Sequence, residues 1–238
     1  MTVNWFYIKM TVLICLTVFL FGFSAKRSDA RKIKGVQINF EAGDNLFITA
    51  ATVNKMLIQS NQHLTGLAKE TLVLETLEKR LDSNAMIANA DVYLTLNGIV
   101  GANIKQRKPL ARIEAATPYY IDETGSIMPL STNYSARVPI INGMSQDLLA
   151  EVYPLLQYIK NDALLHKQII GLTRQKNGAY ILNPRMMDYR INLGKPEKIQ
   201  SKFNNYKAFY QKALKDKSLE TYRLVDLRFK GQVVGTKK

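Results

Sequence analysis

The chain has 238 residues, a formal net charge of +14 and 47% hydrophobic residues. This length accommodates one large globular domain or two small ones, and the apolar content excludes a disordered chain. Its single cysteine, Cys15, lies inside an N-terminal apolar run, which excludes disulfides and cysteine-based metal sites from the remainder of the chain.

The N-terminal apolar run predicts a membrane-spanning helix over residues 10–25, preceded by a short tail at residues 1–9. A helix of residues 10–25 falls short of the ~30 Å hydrocarbon core of a bilayer, so we expect the span to begin near Trp5. A cleaved signal peptide is the alternative, because Lys9 precedes an apolar core and Gly22-Phe23-Ser24 has the small residues of a cleavage site.

Residues 33–116 show the pattern of a small α+β domain. Alternating apolar residues predict the strands, apolar residues at helical spacing predict the helices, and Asn97-Gly98 is a strong hairpin signal. The order is strand, helix, helix, strand, strand, with a turn at residues 43–45 after the first strand. These elements are predicted at residues 33–49, 52–59, 70–82, 92–96 and 99–107.

Residues 117–238 predict a second domain, a mostly antiparallel sheet with helices. It begins with a hairpin, in which strands at 119–121 and 127–130 flank turn residues that include Gly125. We expect Pro154 to kink or restart the first helix that follows. Further strands are predicted at residues 137–141, 168–174, 179–182, 189–193 and 225–229, and helices at residues 146–160 and 196–214.

Few residues suit catalysis. Neither His63 nor His166 stands in a metal-binding or catalytic spacing. Asp122 and Glu123 are adjacent, so they would point to opposite faces of a strand, and turn chemistry accounts for them better than a glycosidase acid pair. We therefore expect no catalytic residue, no metal and no cofactor. An anchored envelope enzyme is an alternative that would require a deep polar pocket with perturbed carboxylates.

The C-terminal segment, residues 195–238, has an excess of lysine and arginine. No zinc-finger spacing, GXXG loop or aromatic RNA-binding motif accompanies these charges. The pattern therefore favours a solvated basic face over nucleic-acid binding. Such a face could attract acidic partners or anionic lipid headgroups.

The last predicted strand, residues 225–229, is the candidate binding site. Val225, Leu227 and Phe229 alternate with Asp226 and Arg228, so one face suits a core and the other suits water. A terminal strand at a sheet edge has free backbone groups that a partner strand can complete. An ordinary buried closing strand is the alternative.

Three stretches between Gln106 and Gly143, reading QRKPLARI, YYIDETGSIMPLS and ARVPIING, resemble the bacterial cell-division family FtsQ/DivIB in its Bacteroidetes-like form. The resemblance extends over most of the chain. It implies a single-pass inner-membrane protein with a POTRA domain at 33–116 and an FtsQ-type β domain at 117–238. It also implies a divisome scaffold for septum formation that binds FtsB and FtsL, and other division proteins through the POTRA domain.

The resemblance transfers a partner-binding role to the C-terminal strand and the residues after it. It also implies a cytoplasmic N-terminus and a periplasmic domain, although the basic residues that follow the helix, such as Lys26 and Arg27, would favour the opposite orientation. A POTRA-type envelope assembly or secretion module is a further alternative. The transferred partner-binding residues are Val225, Leu227, Arg228, Phe229, Gly231, Gln232, Val233 and Val234.

Overall fold

The computed structural model of the chain describes residues 5–29, 33–41, 46–58 and 73–238. The chain divides into two compact units, Met1–Gln106 and Arg107–Lys238. The first contains an N-terminal helix and a small sheet with two helices, and the second contains a large mixed sheet with helices. The predicted α+β class is confirmed.

The N-terminal helix α1 spans Trp5–Asp29 and includes the predicted extension of the apolar run. Within it, Trp5–Ser24 has a mean hydropathy of 2.1 and no buried residue, so it is long and apolar enough to cross a bilayer. The Lys9 ammonium lies 5.9 Å from the centroid of the Trp5 ring, a cation–π distance that suits an interfacial pair. The helix is therefore compatible with a single membrane anchor.

The small sheet of the first unit has the strand order β1-β3-β2, with β1 parallel and β2 antiparallel to β3. Helices α2 and α3 each bury an i,i+4 pair, Val53 with Leu57 and Leu77 with Leu81, in the core of this unit. The predicted turn at 43–45 and residues 59–72, which include His63, lie outside the described residues. The elements are β1 (Gly35–Phe40), α2 (Ala50–Ile58), α3 (Leu74–Asp82), β2 (Ile87–Leu94) and β3 (Ile99–Gln106).

Helix α3 covers the outer edge of β2 with its acidic side chains. The Glu78 carboxylate accepts a 2.8 Å hydrogen bond from the backbone N–H of Val92, and the Asp82 carboxylate accepts one of 2.7 Å from Ala90. These two N–H groups would otherwise be free to pair with another strand. The edge of β2 is thereby closed to strand addition at these positions.

The large sheet of the second unit has nine strands in the order β12-β11-β10-β9-β8-β7-β4-β5-β6. Five neighbouring pairs are antiparallel and three are parallel, so the sheet is mixed with an antiparallel majority. Its strands are β4 (Pro109–Glu114), β5 (Tyr119–Asp122), β6 (Ile127–Pro129), β7 (Ile140–Asn142), β8 (Ile169–Arg174), β9 (Tyr180–Pro184), β10 (Arg190–Gly194), β11 (Tyr222–Asp226) and β12 (Val234–Lys237).

The division between the units falls before β4, earlier than the predicted boundary at 116/117. Strand β4 pairs with β5 and, in parallel, with β7, so it belongs to the large sheet. Local sequence pattern does not reveal this membership, because the parallel partner lies far along the chain.

Three helices, α4 (Leu149–Asn161), α5 (Ala163–Gln168) and α6 (Ile199–Lys215), accompany the large sheet. The rings of Tyr158 in α4 and Phe203 in α6 stack at a centroid distance of 5.3 Å, which links the two long helices within one core. Phe203 and Tyr206 of α6 are also buried in this core.

Of the two outcomes predicted at Pro154, a restart is not observed: helix α4 runs through the proline. The carbonyl of Ala150 loses its helical donor there, but Ala150 is exposed to water. The chain also enters α5 directly after α4: the Asp162 carboxylate caps α5 by accepting from the N–H groups of Leu164 and Leu165.

The β5–β6 hairpin is held by Asp122, whose side chain is 2% exposed. The carboxylate accepts hydrogen bonds from the backbone N–H groups of Thr124 and Ser126 and forms a 2.7 Å ion pair with Arg107. Burial alone would raise the pKa of Asp122, but hydrogen bonds from Thr124, Arg107 and Ser126 outweigh it and lower the pKa.

Because the pKa of Asp122 is lower in the folded state, its stabilisation is present above the ordinary carboxyl pKa and is lost as the pH falls through the lowered value. We expect Asp122→Asn to lower the free energy of unfolding of the second unit by about 1–2 kcal/mol at pH 7. The difference from the wild type should shrink as the pH falls below the ordinary carboxyl pKa and through the lowered pKa of Asp122. Hydrogen exchange of second-unit peptides measures the loss of stability at pH 7 and its change with pH. A difference between variant and wild type that persists at acid pH would contradict the role of the Asp122 carboxylate.

Candidate partner-binding site

The large sheet ends in β12, which pairs antiparallel with β11. The four residues of β12 are all exposed, and no other described strand pairs with its second side. Strand β11 itself is internal, because it also pairs in parallel with β10. The edge of the sheet is therefore β12.

The register of β12 determines which of its backbone groups are free. The N–H of Lys238 donates to the carbonyl of Thr221 at 2.9 Å, so residue 238 faces β11. Backbone groups alternate in direction along an antiparallel strand, which places Val234 and Thr236 on the β11 side as well. The N–H and C=O groups of Gly235 and Lys237 then point away from the sheet.

Gly235 allows β12 to lie close to an aromatic pair. The rings of Phe209 in α6 and Tyr222 in β11 meet edge to face, with centroids 5.1 Å apart. A β-carbon at position 235 would lie 2.5 Å from Cε1 of Tyr222, closer than real carbon contacts allow. Glycine is therefore the residue that fits here without displacing the ring.

Asp226 fixes the end of β11. Its buried carboxylate accepts hydrogen bonds from the backbone N–H and the guanidinium of Arg228, the shortest being 2.7 Å, and from the Asn192 amide in β10 at 3.2 Å. Burial alone would raise the pKa of Asp226, but the bonds from Arg228 outweigh it and hold the pKa below its usual range. This network anchors the start of the loop that leads to β12.

The loop between β11 and β12 carries an exposed aromatic ring. Phe229 is 45% exposed, and the Arg228 guanidinium lies 6.0 Å from its ring centroid. The chain then reverses at Gly231, which has a φ of +74°. The loop that leads to β12 therefore carries a cationic side chain, bound to Asp226 and packed against Gly194 of β10, and an exposed aromatic ring.

The predicted last strand at 225–229 is corrected: β11 ends at Asp226, and a further strand, β12, follows it. Val225 and Leu227 are 0% and 1% exposed and belong to the core, so a partner cannot reach their side chains without local opening. Arg228, Phe229, Gly231 and Gln232 are exposed in the loop, Val233 is half-buried, and Val234 is 41% exposed at the start of β12.

Gly235, Thr236 and Lys237 were not among the site residues predicted from the sequence. The segment Val233-Val234 after a turn glycine is a signal for a returning strand, but four exposed residues have no apolar alternation that would reveal it. These residues form a strand because they pair with β11, and the local hydropathy pattern of the sequence does not show which strands pair.

The other candidate residues have separate structural roles. Glu123 forms a 2.5 Å ion pair with Lys160, while Asp122 pairs with Arg107, so the two carboxylates do not converge on one site. His166 lies exposed in α5. Across residues 5–29, 33–41, 46–58 and 73–238, no group of three or more His, Cys, Asp or Glu side chains is arranged to hold a metal ion.

Comparison with family models gives two matches. Residues 31–105 match a POTRA-like domain, and residues 108–236 match a model described as FtsQ/DivIB, C-terminal related. No curated protein matches the chain closely enough to count as a relative. The second match covers more than half of the chain and contains β11 and all but the last residue of β12. It confirms the resemblance drawn from residues 106–143: the chain belongs to the FtsQ/DivIB family of cell-division proteins.

Proposed function

We propose that this protein is a membrane-anchored scaffold of the bacterial division machinery that binds FtsB and FtsL by strand addition to β12. The observation that carries the proposal is the free edge of β12, with the backbone groups of Gly235 and Lys237 directed away from the sheet. Backbone pairing supplies affinity there, and the neighbouring loop supplies side chains that can select the partner.

The other end of the large sheet is a poorer site for strand addition. Strand β6 has three residues and ends at Pro129, which has no N–H to donate. The edge of β2 in the first unit is covered by the carboxylates of α3. Of the edges formed by β2, β6 and β12, these features favour β12 as the one that receives a partner strand.

The transferred residues take different roles in this proposal. Arg228, Phe229, Gly231 and Gln232 form the loop that a partner contacts, and Val233 and Val234 lead into the paired edge. Val225 and Leu227 support the site from the core. The POTRA-like domain would dock other division proteins, and the scaffold itself would catalyse no reaction.

Binding of full-length protein in lipid nanodiscs to synthetic periplasmic segments of FtsB and FtsL tests the proposal. We expect saturable binding that Phe229→Lys weakens by about tenfold, since an exposed aromatic contact contributes about 1–2 kcal/mol. Leu214→Lys is the matched control, because it adds the same charge at an exposed apolar position of α6. If the wild-type chain binds neither segment, the proposal is wrong.

We further propose that α1 is an uncleaved inner-membrane anchor at the division septum, with residues 1–9 in the cytoplasm and the two domains that follow the anchor in the periplasm. The apolar length of Trp5–Ser24 supports the anchor, and membership of the family supports the orientation. An alkaline phosphatase fusion after Lys238 is expected to be active, and a mature chain that retains Trp5 is expected on mass spectrometry. An inactive fusion would reverse the orientation, and loss of Trp5 would identify a signal peptide.

A further inference from the structure

A second surface of the large sheet has the character of a binding site. It is a cleft of about 710 Å³ where the segment before β7, the end of α5, the start of β8 and the residue after β9 meet. Strands β9, β10 and β11 lie between β8 and β12 in the sheet, which places the cleft roughly 19 Å from the edge at β12. We call it the basic cleft; it is lined by Arg137, Val138, Pro139, Ile140, His166, Lys167, Ile169, Ile170 and Arg185.

The charged residues of the basic cleft are all of one sign. Arg137, Lys167 and Arg185 are exposed, and in the described part of the chain none of their side chains forms an ion pair or a hydrogen bond. By contrast, Lys160 and Lys207 are paired with carboxylates in the same unit. No acidic residue lines the cleft. Cationic side chains gathered without a counter-charge attract an anionic ligand.

The floor of the basic cleft is apolar. Ile140 in β7 and Ile170 in β8 are 42% and 41% exposed, although they lie on central strands of the sheet. A smaller cavity of about 50 Å³ adjoins the cleft: it shares the lining residues Val138, Pro139 and His166 and is also lined by core residues such as Leu156. This cavity has room for a small aliphatic side chain, the kind of anchor that concentrates binding energy at interfaces.

The residues that line the basic cleft suit a peptide ligand better than a phosphate group. Phosphate sites use backbone N–H groups at helix N-termini, glycine loops and hydroxyl side chains. The basic cleft has no Ser, Thr or Gly in its lining, and it meets α5 at the C-terminal end, where carbonyl groups are presented. Its three cations come from three separate segments around an apolar floor, which suits several carboxylates spread along a chain.

We propose that the basic cleft binds an acidic peptide segment of a protein partner. Its carboxylates pair with Arg137, Lys167 and Arg185, and one aliphatic side chain enters the cavity beside Val138. Strands β7 and β8 are paired on both sides, so recognition here is by side chains and differs from the strand addition proposed at β12. The inference does not depend on that proposed function, and it gives the scaffold a second docking site.

The test uses the full-length chain in neutral-lipid nanodiscs and a fluorescent ten-residue peptide that alternates glutamate with leucine. One leucine is replaced by photo-leucine for crosslinking. We expect saturable binding, a crosslink to residues 137–140 or 166–170, and about tenfold weaker binding by the Arg137→Gln/Arg185→Gln variant. Lys212→Gln/Lys215→Gln is the matched control: it removes the same charge from exposed positions of α6 and is expected to leave affinity within about twofold.

Three outcomes would overturn the inference. Equal weakening by both double variants would mean that the net charge of the chain attracts the peptide without a site. Crosslinks confined to other residues would place the peptide elsewhere. The third outcome combines two results: inorganic phosphate or phosphatidylglycerol vesicles compete with the peptide at charge-matched concentrations, and replacing leucine by serine in the peptide does not change its affinity. Together these results would identify a phosphate or lipid headgroup as the ligand. Titration of the same variants with FtsB and FtsL segments separates this site from β12, because the cleft variants are expected to retain that binding.

Discussion

Replacing Lys237 with proline is expected to weaken binding of FtsB and FtsL segments by about tenfold to a hundredfold. The N–H of Lys237 points away from β11, so proline removes a donor that strand addition would use, and its ring occupies the approach of the partner backbone. An unpaired carbonyl left on a docked partner costs about 1–3 kcal/mol, which corresponds to that loss of affinity. Titration of the full-length protein in nanodiscs with FtsB and FtsL segments measures this loss of affinity.

Lys237→Gln is the matched control, because it removes the charge and keeps the N–H. We expect its affinity to stay within about twofold of the wild type, since Lys237 is exposed and a single rim charge contributes little. Proline is tolerated on edge strands where the N–H faces solvent, so protection of β11 amides from hydrogen exchange should persist in both variants. Equal affinity of the proline variant and the wild type would exclude the outer edge of β12 as the binding site.

Both edges of the large sheet show what sequence can predict about a binding site. The β5–β6 hairpin was predictable because its turn residues and apolar strands are adjacent in sequence. Strand β12 was not, because its four residues are exposed and take their strand conformation from pairing with β11. An edge that binds a partner needs backbone groups and an open side, and neither leaves a pattern in side-chain hydropathy.

The same limit applies to the core and to the basic cleft. The spacing of Phe203 and Tyr206 in the sequence is typical of a core helix, because helical spacing brings such residues onto one face. Arg137, Lys167 and Arg185 come from three separate segments, and their meeting depends on how β7, α5 and β9 pack. Within the sequence each is an ordinary surface cation. Tertiary structure alone shows that they surround one apolar floor.

The largest expected loss of stability follows from Gly143→Ala, which should lower the free energy of unfolding of the second unit by about 3 kcal/mol. Gly143 has a φ of +75°, and a β-carbon there would lie 2.4 Å from the backbone oxygen of Arg174. The left-handed conformation costs alanine about 1–2 kcal/mol, and relief of the clash requires the backbone to move. The backbone of Arg174 cannot shift easily, because Arg174 pairs with Tyr180 in β9 and its side chain is bound to Glu151.

Gly178→Ala provides the matched control in the neighbouring turn. Gly178 has a φ of +79°, but a β-carbon there would meet only the end of the Arg174 side chain, at 3.6 Å. We expect this variant to lose about 1 kcal/mol, the cost of the backbone conformation alone. Hydrogen exchange of amides in β7 and β8, measured on full-length protein, reports both losses within the second unit. If both variants lose the same free energy of unfolding, β7 and β8 must shift apart to accommodate the added methyl group at position 143. The pairing of β7 with β8 would then be less rigid than its register indicates.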